Sequence, residues 1–321
     1  MKAFFSTNIS SCLCFKGAGV NVWWLAVRPF AFPASTMPVL LGSTTAVMSG
    51  GATFKPFYFL LALIGIMLLH AGSNLFQDAH DFERGLDREV LPLSGAVVRG
   101  LISPAEAKQG GIMCLLLAGV IGVYLTVSIS LWILPIGLVG AAIGYFYSSP
   151  PLGLKYRALG DLSVFLNFGL LGTLGAWLVQ SGFLSWLPVV WAVPIALLVV
   201  GILHANNWRD IDRDTSQGYQ TVAAWLSDRR SALYYFFLLL LPYFIVFILV
   251  LARWIGPMAV ALPPACLCVF LSLPIAISTY RMGLRRDLTT LDGASAKLNL
   301  IFGLLYVAGF ILDFYLPIQG S

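Results

Sequence analysis

What most constrains this chain is the recurrence of apolar runs about as long as a lipid bilayer is thick. "FYFLLALIGIMLLHAGS" at 57–73 is one of them. A helical crossing takes about 20 apolar residues. The runs are continuous and do not alternate, which favours helices over a barrel. Marking them off predicts nine helices, at 30–48, 57–77, 110–128, 131–149, 160–180, 187–207, 232–251, 258–279 and 298–316. Composition agrees. Hydrophobic residues make up 59% of the chain and charged residues 10%, against about 25% charged in a soluble domain, and the mean hydropathy is +0.88. The expectation is an all-α integral membrane protein: one transmembrane domain over 1–321, with 1–27 as an N-terminal segment. Lys2 and Lys16 flank no clean apolar core with a cleavage site, so no removable signal peptide is expected.

Orientation follows from Lys and Arg. With the N-terminus cytoplasmic, seventeen of the nineteen basic residues fall on the cytoplasmic side, and only Lys55 and Arg253 on the other. A missed or added helix would invert every later loop, so the asymmetry supports the helix count as well as the direction. The expected location is the cell inner (cytoplasmic) membrane, multi-pass. The formal net charge of +5 then reflects topology, and neither a nucleic-acid partner nor a protein partner is implied.

Thirteen of the fourteen acidic residues lie on the same side as the bases, Asp313 being the exception. Polar chemistry therefore belongs to that surface, above all to the loops at about 78–109 and 208–231. "NLFQDAHDFERGLD" (74–87) opens the first loop. If the second helix continues two turns past Ser73, Asn74, Asp78 and Asp81 stand at i, i+4 and i+7 on one face, with Asp87 beyond Gly85. "NNWRDIDRDTSQG" (206–218) opens the second, where Asn206, Asp210 and Asp214 stand at i, i+4 and i+8 and Asp212 points elsewhere. Carboxylates stacked on one face repel unless a cation lies between them. Asp and Asn oxygens suit Mg²⁺, which commonly shares its shell with substrate phosphates. Two facing clusters around Mg²⁺ and a diphosphate would account for both runs. Arg84, Arg88, Arg209, Arg213, Lys155 and Arg157 are the bases at hand for phosphate oxygens. Solvated loop charge is the plain alternative for either run taken alone.

Other features read more simply. Cys12, Cys14, Cys114, Cys266 and Cys268 have no zinc spacing and read as structural. His70, His80 and His204 are dispersed along the chain. Tyr145 and Tyr147 suit the membrane interface, and either ring could also face a cation. "ISPAEA" (102–107) is a helix start with Ser103 as N-cap and Pro104 first in the helix.

The chain resembles the UbiA superfamily of intramembrane prenyltransferases, which carry aspartate-rich motifs after helices 2 and 6 of a nine-helix fold. Five stretches carry the resemblance: "VRPFAFPASTMPVLLGS" (27–43), "SNLFQDAHDFERGLD" (73–87), "YSSPPLGLKYRALGDLSVFLNFG" (147–169), "NNWRDIDRDTSQGYQT" (206–221) and "ASAKLNLIFGLLYVAG" (294–309). They look most like the menaquinone-pathway branch that prenylates 1,4-dihydroxy-2-naphthoate. There are two departures. Gln77 stands at the first Asn of an Asn-Asp-x-x-Asp pattern, and Tyr219 stands at the Lys of a Gly-Lys-x-Thr pattern.

The resemblance implies transfer of a polyprenyl group from polyprenyl diphosphate to an aromatic acceptor at the bilayer. Asp78, Asp81, Asp210 and Asp214 would hold Mg²⁺. Asn74, Asn206, Asn207, Arg209, Lys155, Arg157 and Arg84 would take the diphosphate, and Tyr147 would stand beside the allylic cation. Three other readings compete: another acceptor such as 4-hydroxybenzoate or homogentisate, a cation-coupled transporter, and a non-catalytic homologue. A transporter should carry ionisable groups near mid-membrane, whereas here the acids gather at one surface.

Overall fold

The computed structural model describes residues 22–86, 95–255 and 258–316. Asp87, Arg88, Cys12, Cys14, Lys2 and Lys16 lie outside them. Among the described residues the chain is helical, with one isolated bridge between Arg157 and Gln220. Among the described residues, beside short helices at Val22–Ala26 and Ile211–Ser216, the longer helices follow the order of the apolar runs: α1 Pro33–Met48, α2 Pro56–Glu83, α3 Pro104–Ser128, α4 Ile133–Phe146, α5 Gly160–Ser181, α6 Leu187–Arg209, α7 Val222–Ile255, α8 Pro264–Leu284 and α9 Leu291–Tyr315. Eight spans are long and apolar enough to cross a membrane, counting α1 together with the turn that begins at Pro29. The exception is α4. Its 14 residues rise only about 21 Å at 1.5 Å each, so it stops short of a full crossing.

The ends differ from the sequence-based boundaries in a consistent way. α2 runs to Glu83 instead of 77, α3 begins at Pro104 instead of 110, and α7 and α9 begin well before their apolar runs. Hydropathy marks the part of a helix that lipid covers, and backbone hydrogen bonding carries the helix on into polar sequence. The start of α3 is as expected. Ser103 Oγ accepts from Glu106 N–H at 3.2 Å and Glu106 Oε2 accepts from Ser103 N–H at 2.7 Å, a complete capping box.

α1, α5 and α6 bury more of their surface than α3 or α8. They pack with α9 into the inner part of the bundle, while α3 lies along α2 and α7 along α6. Glycines let the inner helices close up. A Cβ at Gly42 of α1 would collide with the Thr173 carbonyl oxygen of α5, and one at Gly169 of α5 would collide with Ala196 of α6. In lipid, where apolar side chains gain little from leaving the solvent, small residues at helix contacts supply the packing. The outer surface is apolar: Val120, Val127 and Leu131 stand exposed. This is a multi-pass membrane protein.

Candidate active site

Both aspartate motifs ride on helix ends. Because α2 stays helical to Glu83, Asn74, Asp78 and Asp81 keep helical spacing, as the sequence suggested. The second motif is broken once. α6 ends at Arg209, Asp210 leaves the helical region at φ −98, ψ 10, and a short helix restarts at Ile211–Ser216. Asp214 N–H still donates to the Asp210 carbonyl at 2.9 Å, which holds the two side chains one turn apart. Asp212 is exposed and points away, as expected.

A third segment closes over them. The α4–α5 connection turns at Gly153 (φ +51) and Ala158 (φ 56) and forms a short 3-10 turn at Leu154–Tyr156. It is tied to the loop after the second motif, where Gln220 N–H donates to the Tyr156 carbonyl at 3.2 Å and the Gln220 carbonyl accepts from Ala158 N–H. That loop is tied in turn to the first motif, since Gln217 Nε2 donates to the Gly85 carbonyl at 3.0 Å. The three loops, far apart in sequence, share one polar basin lined by Gln77, Asp81, Lys155, Asn206, Asn207, Arg209, Asp210, Arg213, Asp214, Tyr219 and Arg28.

Charge in the basin is closely paired. Asp81 accepts from Lys155 Nζ at 2.7 Å through Oδ2 and from the Tyr156 hydroxyl through Oδ1. Asp210 accepts from Arg209 Nε and Nη2, both at 3.1 Å, and from Arg213 Nη2 at 2.8 Å. Arg209 reaches on to Asp292 of α9 at 3.3 Å. Burial pushes the Asp214 carboxyl up to about 6, with Lys155 opposing the rise and Asp210 adding to it. A buried carboxylate so placed, beside other carboxylates, would be stabilised by a further cation. Among the described residues no three or more His, Cys, Asp or Glu side chains converge as a ready-made metal cluster. The carboxylate and amide oxygens that share the basin are those of Asp81, Asp210 and Asp214 and of Gln77, Asn206 and Asn207. This hard, all-oxygen donor set fits Mg²⁺ bound partly through substrate phosphates.

Below the basin lies a second cavity of about 110 Å³, contiguous with it through Arg28, Gln77 and Asn206. Asn74, Tyr147, His70, Asn167, Phe168 and Asp292 line it. Tyr147 is buried here, and its phenol is pushed upward first by burial and then by Asp161 and Asp81.

Of the residues singled out from sequence, Asp81, Asp210, Asp214, Asn206, Asn207, Arg209 and Lys155 meet in the basin, and Asn74 and Tyr147 line the chamber. Three stand aside. Asp78 is buried against Arg28 Nη2 at 3.4 Å and accepts from Val97 N–H at 3.0 Å. Arg84 stacks on the Tyr156 ring, 4.2 Å from its centroid. Arg157 is exposed and donates to the Pro151 carbonyl at 3.1 Å. Sequence reasoning overlooked Arg28, Tyr156, Asp292 and the site position of His70. The sequence shows only that Arg28 precedes Pro29; its left-handed conformation, φ 54, is a feature of the structure. Tyr156 had no local signal. Tyr219, at the position of the expected lysine, packs on Tyr156 with ring centroids 5.0 Å apart.

The chain belongs to the UbiA prenyltransferase family, which it matches over residues 35–281. It is a prenyltransferase, and the transporter reading falls. Among its relatives are UbiA prenyltransferase domain-containing protein 1 of Rattus norvegicus, 35% identical over 90% of this chain and 82% of that protein, and the protein of the same name in Homo sapiens, 33% identical over 90% and 82%. The 1,4-dihydroxy-2-naphthoate octaprenyltransferase of Bacillus subtilis (strain 168) is 29% identical over 92% and 94%. The menaquinone branch expected from the motifs is thus represented, at lower identity than the vertebrate proteins. Two solved structures share the fold. The apo UbiA homolog from Aeropyrum pernix K1 has a TM-score of 0.63 at 18% identity, covering 89% of this chain and 97% of that one. The homolog from Archaeoglobus fulgidus bound to GPP and Mg²⁺ has 0.56 at 17%, covering 89% and 99%.

Proposed function

We propose that the protein transfers a polyprenyl group from its diphosphate to a hydroxylated aromatic ring, with Mg²⁺ as cofactor and 1,4-dihydroxy-2-naphthoate or a close naphthalenediol as acceptor. The observation that carries this is the union of both aspartate motifs and the Lys155 loop in one basin, opening onto a chamber lined by aromatic and amide side chains. Two relatives support it by name: the Archaeoglobus structure holds a prenyl diphosphate with Mg²⁺, and the Bacillus enzyme acts on the naphthoate.

Asp81, Asp210 and Asp214, with the amides of Gln77, Asn206 and Asn207, would hold the metal. When bound, Mg²⁺ neutralises charge on the leaving diphosphate. The chain's own cations do the rest. Lys155, Arg209 and Arg213, now paired with aspartates, are placed to turn to phosphate oxygens once those aspartates face a cation. Asp78, buried against Arg28, positions that guanidinium at the junction of basin and chamber. Phe168 and Tyr147 keep water from the allylic carbon and present ring faces to developing positive charge. The basin opens on the Lys- and Arg-rich side of the bundle, which the positive-inside rule makes cytoplasmic.

The test is product formation by purified protein in nanodiscs, given Mg²⁺, a long-chain prenyl diphosphate and a panel of acceptors. A prenylated naphthoquinol that disappears with EDTA is the expected result. Turnover with 4-hydroxybenzoate or homogentisate alone would keep the mechanism and replace the acceptor.

A further inference from the structure

We infer that His70 is the base that takes the proton from the acceptor's ring hydroxyl. The inference rests on the prenyl-transfer reading above and deepens it.

His70 sits on the face of α2 that carries Asn74, Gln77 and Asp81 toward the loops. At 1.5 Å per residue it lies about 10 Å below Gln77, on the wall of the chamber and not in the basin. Its ring is held from two sides, with the Phe168 ring centroid 4.5 Å away and that of Phe32 5.5 Å away. Ser35 Oγ lies 3.0 Å from His70 Nδ1 and 3.1 Å from the Phe32 carbonyl oxygen. A hydroxyl has one proton and a carbonyl only accepts. The arrangement that satisfies both contacts therefore has Ser35 donating to Phe32 and accepting from Nδ1–H. That fixes the tautomer and leaves the lone pair on Nε2, on a residue that lines the chamber.

The other ionisable groups around the chamber are Arg28, Tyr147 and Asp292. Arg28 is a cation, and Tyr147 is a phenol held neutral by its surroundings. Asp292 is engaged at both oxygens, by Arg209 at 3.3 Å and by Gly293 N–H at 2.8 Å. Among the described residues lining the chamber, His70 is the side chain whose tautomer leaves a lone pair to accept a proton.

The step balances as follows. The C1–O bond of the allylic diphosphate breaks, its electron pair leaves with the diphosphate, and a ring carbon of the acceptor bonds to C1. Electron density for that bond comes from the ring oxygen as its O–H proton passes to Nε2 and the oxygen becomes a carbonyl. Aromaticity returns when the ring C–H proton goes to the released diphosphate and the imidazolium returns its proton to the ring oxygen. Where a carboxyl occupies that carbon, it leaves as carbon dioxide in place of the proton.

The experiment compares His70→Ala and His70→Gln with the wild type at saturating donor. The Gln variant fills the space and can accept a hydrogen bond, but it takes up no proton at working pH. Loss of a general base lowers turnover by about a hundredfold or more. We expect that loss in kcat for both variants, with donor KM close to wild type in both and thermal stability close to wild type in the Gln variant. Added imidazole should restore part of the activity of the Ala variant, and acceptors with more acidic hydroxyls should lose less. Unchanged kcat overturns the inference, and so does a loss that imidazole leaves untouched and that is equal for acidic and ordinary acceptors. Absence of prenyl transfer in the wild type overturns the function reading and this inference together, which separates the two failures.

Discussion

Asp214 is the residue whose chemistry is most exposed to test. Its carboxyl is pushed up to about 6, first by burial, from an unfolded value of 3.8. Between those values the metal-free native state holds a proton that the unfolded state has lost. Stability of the metal-free protein therefore falls as pH rises from about 4 to about 6 and is level above. If Asp214 holds the metal as proposed above, binding needs its carboxylate and the proton competes. The expected outcome is an apparent Mg²⁺ affinity that weakens below about pH 6, approaching tenfold per pH unit. Asp214→Asn should bind Mg²⁺ more weakly and lose that pH dependence, and Mg²⁺ titrations of turnover from pH 5 to 8 check both. The aspartates and amides were legible at this scale because they interrupt apolar sequence with donors at helical spacing. Tyr156 and His70 were not legible. A tyrosine in a loop and a histidine in an apolar helix take on roles only through what folding sets beside them, here Asp81 for one and Ser35 with a chamber for the other.

At the scale of elements, apolar runs marked the order of the long helices, because transfer from water to lipid acts on side chains directly. Helix ends were less legible. α2 passes its apolar limit by several residues, and that extension carries Asp78 and Asp81 as one rigid piece with the chamber wall. The α4–α5 connection was read as a loop of bases, and its pairing with Gln220, which delivers Lys155 to Asp81, has no periodicity to betray it. Helix contacts, by contrast, depend on single glycines. Gly169 sits against Ala196 with no room for a Cβ, so Gly169→Val should separate α5 from α6. We expect a loss of about 1–3 kcal/mol from overpacking, read as a lower melting temperature in detergent. Gly137→Val, where a Cβ would meet nothing within 4 Å, should melt close to wild type.

For the whole molecule, the governing asymmetry is that polar chemistry lies on one face of an otherwise apolar bundle. The orientation drawn from Lys and Arg is testable with single cysteines in a cysteine-free background. Ser216→Cys, exposed beside the basin, should resist a membrane-impermeant maleimide in sealed cells and react in inverted vesicles, and Thr53→Cys, exposed at the other end, should do the reverse.

The central claim is that the two aspartate motifs form a single metal–diphosphate site. A double-mutant cycle on kcat/KM for the donor, with Asp81→Asn and Asp210→Asn, tests it most directly. Groups that act as one unit are strongly non-additive. Each single variant should be severely impaired, and the double should be little worse than the poorer single. Losses that multiply would mean two independent sites, and near-wild-type turnover in either single variant would contradict the account outright.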